Sequence, residues 1–217
     1  MRRIIGRFLK NSSQKFVILD TSLFVNPASA HFFGRNPTES FSKFLELCDS
    51  ASGVHWLMPP SIYRELMYFV EEKKIPRNLL IHIEQRAPKK HEILVPGIFI
   101  HDLVENMRDR VDRGLRLAER HVREALLVSP PVKSDKPVKG VVYPDAEAVG
   151  RLRETYRRIM REGFLDSKAD VDLLLLSYEL SGLLVSADQG VIDWAEKMGI
   201  QILPYDQLLP FLKKQLS

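Results

Sequence analysis

The chain has 217 residues, of which 45% are hydrophobic and 28% charged, a composition typical of a globular protein that buries a real core in one or two domains. The formal net charge of +4 is only mildly basic, so the placement of the charges matters more than their sum. A single cysteine, Cys48, excludes an intramolecular disulfide and predicts a reducing, cytoplasmic environment, and no segment approaches the ~20 apolar residues of a membrane-spanning helix.

The N-terminal part alternates strands with helices. Residues 1–14 are a basic arm whose apolar stretch is too short for a signal peptide and whose role is open. The apolar run from Lys15 to Asp20 ends in a carboxylate and predicts a strand buried on both faces, as in a parallel sheet. A helix over 38–50 and a second strand from Val54 to Met58 are predicted to follow.

A further helix is predicted to begin at Pro59-Pro60-Ser61, because proline is favoured in the first turn of a helix. It should continue to about Lys74. Ile62, Leu66 and Phe69 recur at helical spacing, so we expect these three side chains on one face of an amphipathic helix.

The middle of the chain has no strand signal. A long, highly charged helix is predicted from Ile98 to about Val128, followed by a connection rich in proline, lysine and glycine over 129–144. A second helix should run from Asp145 to about Glu162. Two long helices joined by a turn form a helical hairpin, and we interpret residues 98–162 as an insertion.

The C-terminal part returns to alternation. The predicted elements are a helix over Lys168–Leu180 closed by Gly182, a strand over Leu183–Ala187, a helix over Val191–Met198, a strand over Ile200–Leu203 and a final helix. This pattern predicts an α/β fold with a parallel sheet flanked by helices. The sheet-bearing core should comprise residues 15–97 and 163–217.

Four aspartates are predicted to meet where the strands end. Asp20 and Asp188 each follow an apolar strand directly, and ligands of open α/β sheets bind beyond those strand ends. Asp166 and Asp170 are four residues apart; they share a helix face if the helix begins near Asp166, and otherwise Asp166 lies in its approach. Mg²⁺, or Mn²⁺ in its place, prefers such oxygen ligands and removes the repulsion between carboxylates. The residues therefore predict a metal site that activates water and stabilises charge on a phosphodiester.

Each acidic residue also has a purely structural alternative. Asp20 can be a turn residue, Asp166 a helix cap and Asp188 the start of a turn. Asp172 and Glu65 are secondary candidates, because each either joins the acidic site or is a charge on the solvated face of a helix. The six histidines show no metal-binding spacing, and we assign them no role.

The second inserted helix carries arginines at positions i, i+4 and i+8, namely Arg153, Arg157 and Arg161. Guanidinium groups pair with phosphate through two parallel donors, so a stripe of this kind can follow a phosphate backbone. Taken together with the acidic cluster, it predicts RNA contact through Arg153 and Arg157, whereas the stripe alone would favour the alternative. The alternative is a solvated face with pairs inside the helix. The first inserted helix instead has an apolar stripe that needs a partner, either the second helix or another subunit, at Val104, Met107, Val111, Leu115 and Ala118.

These motifs resemble those of the PIN-like metallonucleases over roughly residues 15–75 and 163–217. The resemblance rests on the order and spacing of Asp20-Thr-Ser, Glu65, the run Asp166-Ser-Lys-Ala-Asp170-Val-Asp172-Leu-Leu-Leu and Leu184-Val-Ser-Ala-Asp188. Within that superfamily, the run at Asp166, the Trp194-Ala helix and the long hairpin are similar to the HARP family. That family is the minimal protein-only ribonuclease P of some bacteria and archaea, also labelled RNA ligase partner proteins.

The resemblance implies a Mg²⁺-dependent endoribonuclease that removes the 5′ leader from precursor tRNA and leaves a 5′-phosphate on the product. It also implies a large homo-oligomer assembled through the helical hairpin. The family's acidic positions match Asp20, Asp166, Asp170 and Asp188.

Two other functions are compatible with the sequence. PIN-type toxins cut other RNAs, although they are usually shorter and lack such a hairpin. A non-catalytic RNA-binding partner or scaffold protein would use the hairpin alone. A phosphatase of the haloacid dehalogenase type is excluded, because Ser22 stands where that chemistry needs a second aspartate after the first strand.

Overall fold

The structure is a computed structural model that describes residues 15–49, 51, 53–128, 145–161 and 167–215. The predicted basic arm at 1–14, the connection over 129–144 and Asp166 lie outside these residues. The chain divides into two compact units. We call Met1–Val95 with Leu165–Ser217 the sheet unit, and Pro96–Phe164 the helical unit.

Five strands of the described chain form one sheet. They are β1 (Lys15–Leu19), β2 (Val54–Met58), β3 (Ile83–Gln85), β4 (Leu183–Val185) and β5 (Gln201–Ile202). Their order across the sheet is β3-β2-β1-β4-β5, and every pairing is parallel. The chain moves outward from β1 to β3 and then returns to the other side of β1. The point where the strand order reverses therefore lies between β1 and β4, which is where open α/β sheets bind ligands.

Ten helices occur in the described part of the chain. In order they are α1 (Ser22–Val25), α2 (Pro27–Ala30), α3 (Pro37–Asp49), α4 (Pro60–Phe69), α5 (Arg77–Leu80), α6 (Gly97–Val128), α7 (Asp145–Arg161), α8 (Lys168–Glu179), α9 (Gln189–Met198) and α10 (Leu208–Gln215). Short 3₁₀ turns cover Glu72–Lys74 and Tyr205–Gln207. The predicted α/β fold with a parallel sheet flanked by helices is confirmed.

The core of the sheet unit lies on both faces of β1. Val17, Ile18 and Leu19 are fully buried, as the continuous apolar run predicts for a central strand of a parallel sheet. Aromatic rings fill the space beside it, and Phe44 packs edge-on against both Phe24 and Trp56. This packing fixes the end of β1, which is followed directly by Asp20, the first of the predicted site residues.

The turn between α8 and β4 differs from its prediction. Ser181, rather than Gly182, takes the left-handed conformation at φ 49°. The backbone N–H of Gly182 donates to the carbonyl of Ser177 at 3.0 Å and closes the last turn. Glycine is needed at position 182 for another reason: a Cβ there would lie 2.3 Å from Ile18 Cδ1 and 3.0 Å from the carbonyl oxygen of Phe16.

The helix that begins at Pro60 is shorter than predicted. It ends at Phe69, Val70 is extended, and the chain reaches Lys74 through a 3₁₀ turn. Ile62 and Leu66 are buried, at 1% and 0% exposure, but Phe69 is 50% exposed and does not share their environment. The predicted strands at the C-terminal end are also shorter in the structure, because pairing stops at Val185 and Ile202.

The helical unit consists of α6 and α7, which pack against each other. Gly114 allows this close approach, because a Cβ at that position would lie 2.9 Å from the Tyr156 ring. The two long helices are where the sequence predicts them. No helix in the described residues is long and apolar enough to cross a membrane.

Candidate active site

A cavity of about 240 Å³ opens at the carboxyl ends of β1 and β4, at the reversal of strand order. It brings together three of the four predicted aspartates, Asp20, Asp170 and Asp188, with the secondary candidate Glu65. We call it the acidic pocket. Its full lining is Asp20, Thr21, Ser22, Val25, Asn26, Glu65, Phe69, Asp170 and Asp188.

Asp20 is held at the end of β1 by hydroxyl groups from two distant parts of the chain. Its Oδ2 accepts hydrogen bonds from Ser22 Oγ at 2.5 Å and from Ser186 Oγ at 2.6 Å. The side chain is only 5% exposed, and Ser186 is fully buried. Two donors on one oxygen fix the rotation of the carboxylate about its own axis, so its orientation is set before any ligand arrives.

The same two serines also organise the turn that follows β4. Ser22 Oγ accepts the backbone N–H of Ala187 at 2.9 Å, and Ser186 Oγ accepts that of Asp188 at 3.0 Å. Each hydroxyl therefore links Asp20 to this turn. Neither serine was predicted to belong to the site. Each serine lies two residues from a predicted metal ligand, Ser22 from Asp20 and Ser186 from Asp188, and this was the available signal. Asp20 is buried, and a buried carboxylate needs hydrogen-bond donors.

Asp188 is the N-cap of α9. Its Oδ1 accepts the backbone N–H groups of Gly190 at 2.7 Å and Val191 at 3.3 Å. This oxygen therefore has a structural role, but as a helix cap: Gln189 and Gly190 belong to α9 and do not form the turn that the structural alternative named. The residue nevertheless lines the acidic pocket, so capping fixes its position there.

The electrostatics of the pocket disfavour negative charge. Burial raises the pKa of Asp20 above its ordinary value, the charge of Asp188 raises it further, and the hydrogen bonds from Ser186 and Ser22 lower it. Removal from water has the largest effect of these. The protein alone thus stabilises the ionised Asp20 carboxylate less well than water does. A hard divalent cation would supply the missing stabilisation, and the oxygen-rich lining matches its ligand preference.

Asp170 lies in the first turn of α8, where its backbone N–H donates to the N-cap Ser167 at 3.0 Å. The helix begins at Lys168, so Asp166 precedes the cap, in the approach to the helix; its own position is not described. Asp172 lies outside the acidic pocket. Its two oxygens bind Ser61 Oγ at 3.1 Å and Lys90 Nζ at 2.5 Å.

On α4, Glu65 is exposed and Phe69 follows it one turn later. Both line the acidic pocket, and a hydrogen bond from Thr21 Oγ1 to the carbonyl of Ile62 at 3.2 Å ties this helix to the end of β1. Helical spacing predicted Phe69 on the apolar face, with no part in the site.

The helical unit carries the predicted RNA-contacting residues. Arg153 and Arg157 are exposed on α7, whereas the side chain of Arg161 lies outside the described atoms. A separate group of His101, Asp102 and Glu105 lies near the start of α6, with possible ligand atoms within 4.8 Å of one another. Such exposed acidic groups are common without an ion, and we assign this group no role.

A parallel α/β sheet with carboxylates gathered at the reversal of strand order is the arrangement expected of a PIN-like nuclease. In agreement, the family model described as a PINc domain ribonuclease matches residues 15–217. The chain is 41% identical over 197 residues to the RNA-free ribonuclease P of Thermodesulfovibrio yellowstonii, covering 90% of this chain and 92% of that protein. It is 45% identical over 188 residues to the protein of the same name from Pyrococcus horikoshii, covering 86% and 85%.

A third relative, the RNA-free ribonuclease P of Nitrosococcus oceani, is 37% identical over 186 residues, covering 86% of this chain and 88% of that protein. The chain therefore belongs to the PINc domain ribonucleases and, among them, to the RNA-free ribonuclease P family. The resemblance to the HARP family and the predicted nuclease class are confirmed.

Proposed function

We propose that this chain is an endoribonuclease that removes the 5′ leader from precursor tRNA with the help of Mg²⁺, or Mn²⁺ in its place. The observation that carries the proposal is the acidic pocket, in which Asp20, Asp170 and Asp188 converge at the reversal of strand order. The relatives named RNA-free ribonuclease P support the choice of substrate.

Asp20, Asp170 and Asp188 would hold the metal, and Asp166 is proposed as a fourth ligand on its sequence position alone. When bound, the metal supplies a water of lowered pKa and neutralises charge on the phosphodiester. The protein's own part is orientation: Ser22 and Ser186 fix Asp20, while capping of α9 fixes Asp188. Glu65 stays a secondary candidate at the pocket wall, and Asp172 is engaged elsewhere.

Arg153 and Arg157 are proposed to bind the RNA backbone. They lie four residues apart on α7, so they share one face, and both are exposed. Guanidinium groups in this arrangement can bind successive phosphates without recognising bases, which suits an A-form stem recognised by its shape.

The inserted helices are also proposed to assemble the protein into a large homo-oligomer. Six apolar side chains of α6 are each about half exposed or more, and they recur at spacings of three, four or seven along one face. We call them the α6 stripe: Ile100, Val104, Met107, Val111, Leu115 and Val122. A face of this kind on a helix is typical of a surface that another subunit covers.

Replacing Met107 and Val111 together by glutamate should reduce the particle mass measured by light scattering, because charge in an apolar interface is costly. Asp109→Lys, on the opposite face of α6, is the matched control and should leave the mass unchanged. An unchanged mass for the double variant would contradict assembly through the α6 stripe.

The cleavage assay uses purified protein and precursor tRNA labelled at its 5′ end, with either Mg²⁺ or EDTA. The expected products are the released leader and mature tRNA with a 5′-phosphate, formed only with a divalent ion. Mature tRNA and ribosomal RNA should stay intact. Cleavage of those RNAs at a similar rate would favour a toxin, and RNA binding without a product in any divalent ion would favour a scaffold protein.

A further inference from the structure

Phe69 is an aromatic side chain at an unusual position on α4. Ile62 and Leu66 of the same helix are buried in the core, but Phe69 is 50% exposed. It lines the acidic pocket, one helical turn beyond Glu65. Among the described residues its ring makes no contact with another aromatic ring. An isolated exposed phenylalanine needs no explanation, but one that forms a wall of a carboxylate pocket offers a flat apolar surface beside the reacting group.

The chemistry of the proposed substrate gives this surface a partner. A phosphodiester at the carboxylates carries a nucleoside on each side, so a base must lie close to the pocket wall. Bases of single-stranded RNA are commonly bound by stacking on aromatic side chains. One helical turn separates Glu65 from Phe69, a distance comparable with that from a phosphate to the base of its own nucleotide.

Apart from Glu65, a secondary candidate for the acidic site, the neighbours of Phe69 in this wall offer little for recognising a base edge. Asn26 lines the pocket, but its Oδ1 accepts the backbone N–H of Ala28 at 2.9 Å and its Nδ2 donates to the carbonyl of Ala187 at 3.4 Å. Val25, beside it, is apolar. The wall is therefore suited to the face of a base rather than to its hydrogen-bonding edge, and all four bases have such a face.

We propose that Phe69 forms a nucleobase subsite, in which it stacks on the base of the last leader nucleotide, next to the cleaved bond. The inference rests on the proposed function. The leader nucleotide is favoured over the first nucleotide of the tRNA body, because the latter is paired and stacked in the acceptor stem. A single-stranded base can turn out and stack on a side chain at lower cost.

The test compares two precursor tRNAs that are identical except that one lacks the base of the last leader nucleotide. For the wild type, loss of the base should slow single-turnover cleavage by roughly 5- to 150-fold, the range that one stacked base contributes. Phe69→Ala should slow cleavage of the intact precursor by a similar factor and cause no further loss on the abasic one. Phe69→Trp should behave as the wild type on both.

Two further variants separate stacking from a structural role. Phe69→Leu keeps an apolar side chain but has no aromatic face, so it should behave as Phe69→Ala. Tyr68→Ala removes the neighbouring aromatic residue, which is 81% exposed and does not line the pocket, and should leave both rates unchanged. Melting temperatures close to the wild-type value would exclude misfolding of the variants.

The outcomes distinguish this subsite from the proposed function. If Phe69→Ala slows both precursors by the same factor, or slows neither, the subsite is wrong while the nuclease proposal stands. Full rescue by leucine also overturns the subsite. If the wild type fails to cleave the intact precursor, the proposed function fails and the subsite fails with it.

Discussion

The two units of the chain place their functional side chains in opposite environments. In the sheet unit, Asp20 is 5% exposed and depends on Ser186, a residue 166 positions away in sequence. In the helical unit, Arg153 and Arg157 are exposed along a single helix. The difference matches the two tasks that we propose for the units: a metal-dependent reaction needs ligands fixed by a packed scaffold, whereas contact with a phosphate backbone needs charge on a surface. Variants of the sheet unit should therefore alter the chemical step, and variants of the helical unit should alter binding.

The largest effect is expected from Asp170→Asn, because it removes a proposed metal ligand from the acidic pocket. Loss of a residue that only orients a metal ligand costs roughly 10- to 100-fold, and the cleavage rate at saturating RNA should fall by more than that. Precursor binding should stay near the wild-type value. Single-turnover rates and filter binding measure the two quantities.

Asp172→Asn is the matched control, two residues away on α8, since Asp172 binds Ser61 and Lys90 instead of lining the pocket. It should retain most of the activity. Equal loss of activity in the two variants would mean that the reaction does not depend on the acidic pocket in particular, because Asp170 lines it and Asp172 does not.

The next effect concerns orientation within the sheet unit. Ser186→Ala removes one hydrogen bond to Asp20 and leaves the backbone N–H of Asp188 without its acceptor. We expect Mn²⁺ affinity, measured by calorimetry without RNA, to weaken by about 10- to 100-fold, as for other partners that orient metal ligands.

Ser177→Ala controls for loss of a buried hydroxyl. Ser177 is also fully buried, but its Oγ donates to the carbonyl of Leu173 within α8. Its variant should bind Mn²⁺ as the wild type does. If Ser186→Ala also leaves the affinity unchanged, the hydrogen bonds of Ser186 with Asp20 and Asp188 do not position the metal ligands.

The same contrast explains what the sequence could predict. Asp20 and Asp188 were found because each follows an apolar run, and the parallel fold places strand ends at one edge. The role of Ser22 and Ser186 was not predicted, because their contacts with Asp20 and with the turn after β4 depend on the register of β1 with β4, in which Leu19 pairs with Val185. Register is a long-range property that local patterns do not determine. β3, which has three residues, was not predicted, because so short a run shows no periodicity.

Phe69 escaped prediction for a different reason. Its spacing from Ile62 and Leu66 fits the buried face of a helix, but α4 ends at this residue and Phe69 is 50% exposed. Periodicity predicts on which face of a helix a residue lies, but it does not predict whether other residues cover that face at this point of the helix. The arginines of α7 were easier to find, because exposure on a helix requires no tertiary partner.

In the helical unit, replacing Arg153 and Arg157 together by glutamine should weaken precursor binding and leave the cleavage rate at saturation unchanged. Removing each arginine–phosphate pair should lower the slope of log affinity against log salt by about one. Arg158→Gln, exposed on the same helix but outside this face, should leave the slope near the wild-type value. A slower chemical step at saturation in the double variant would break the division of tasks between the units.

The smallest expected effect is on stability, and it returns to the sheet unit. Because burial raises the pKa of Asp20 in the folded protein, the native state keeps this proton to a higher pH than the unfolded chain does. Stability therefore falls as pH rises from the ordinary range of an aspartate towards the raised pKa, and stays lowered above it. Asp20→Asn should remove this pH-dependent loss of stability, because the asparagine side chain does not ionise but still offers an acceptor to Ser22 and Ser186. The variant should also abolish cleavage.

In EDTA, Asp20→Asn should therefore melt above the wild type at neutral pH, because the variant has no carboxylate to ionise in the buried site. The gain should shrink towards pH 4. Excess Mg²⁺ should stabilise the wild type more than the variant, because a ligand that binds only the folded state raises its stability. A gain that is independent of pH, or unaffected by Mg²⁺, would mean that the buried charge of Asp20 is not what the metal relieves.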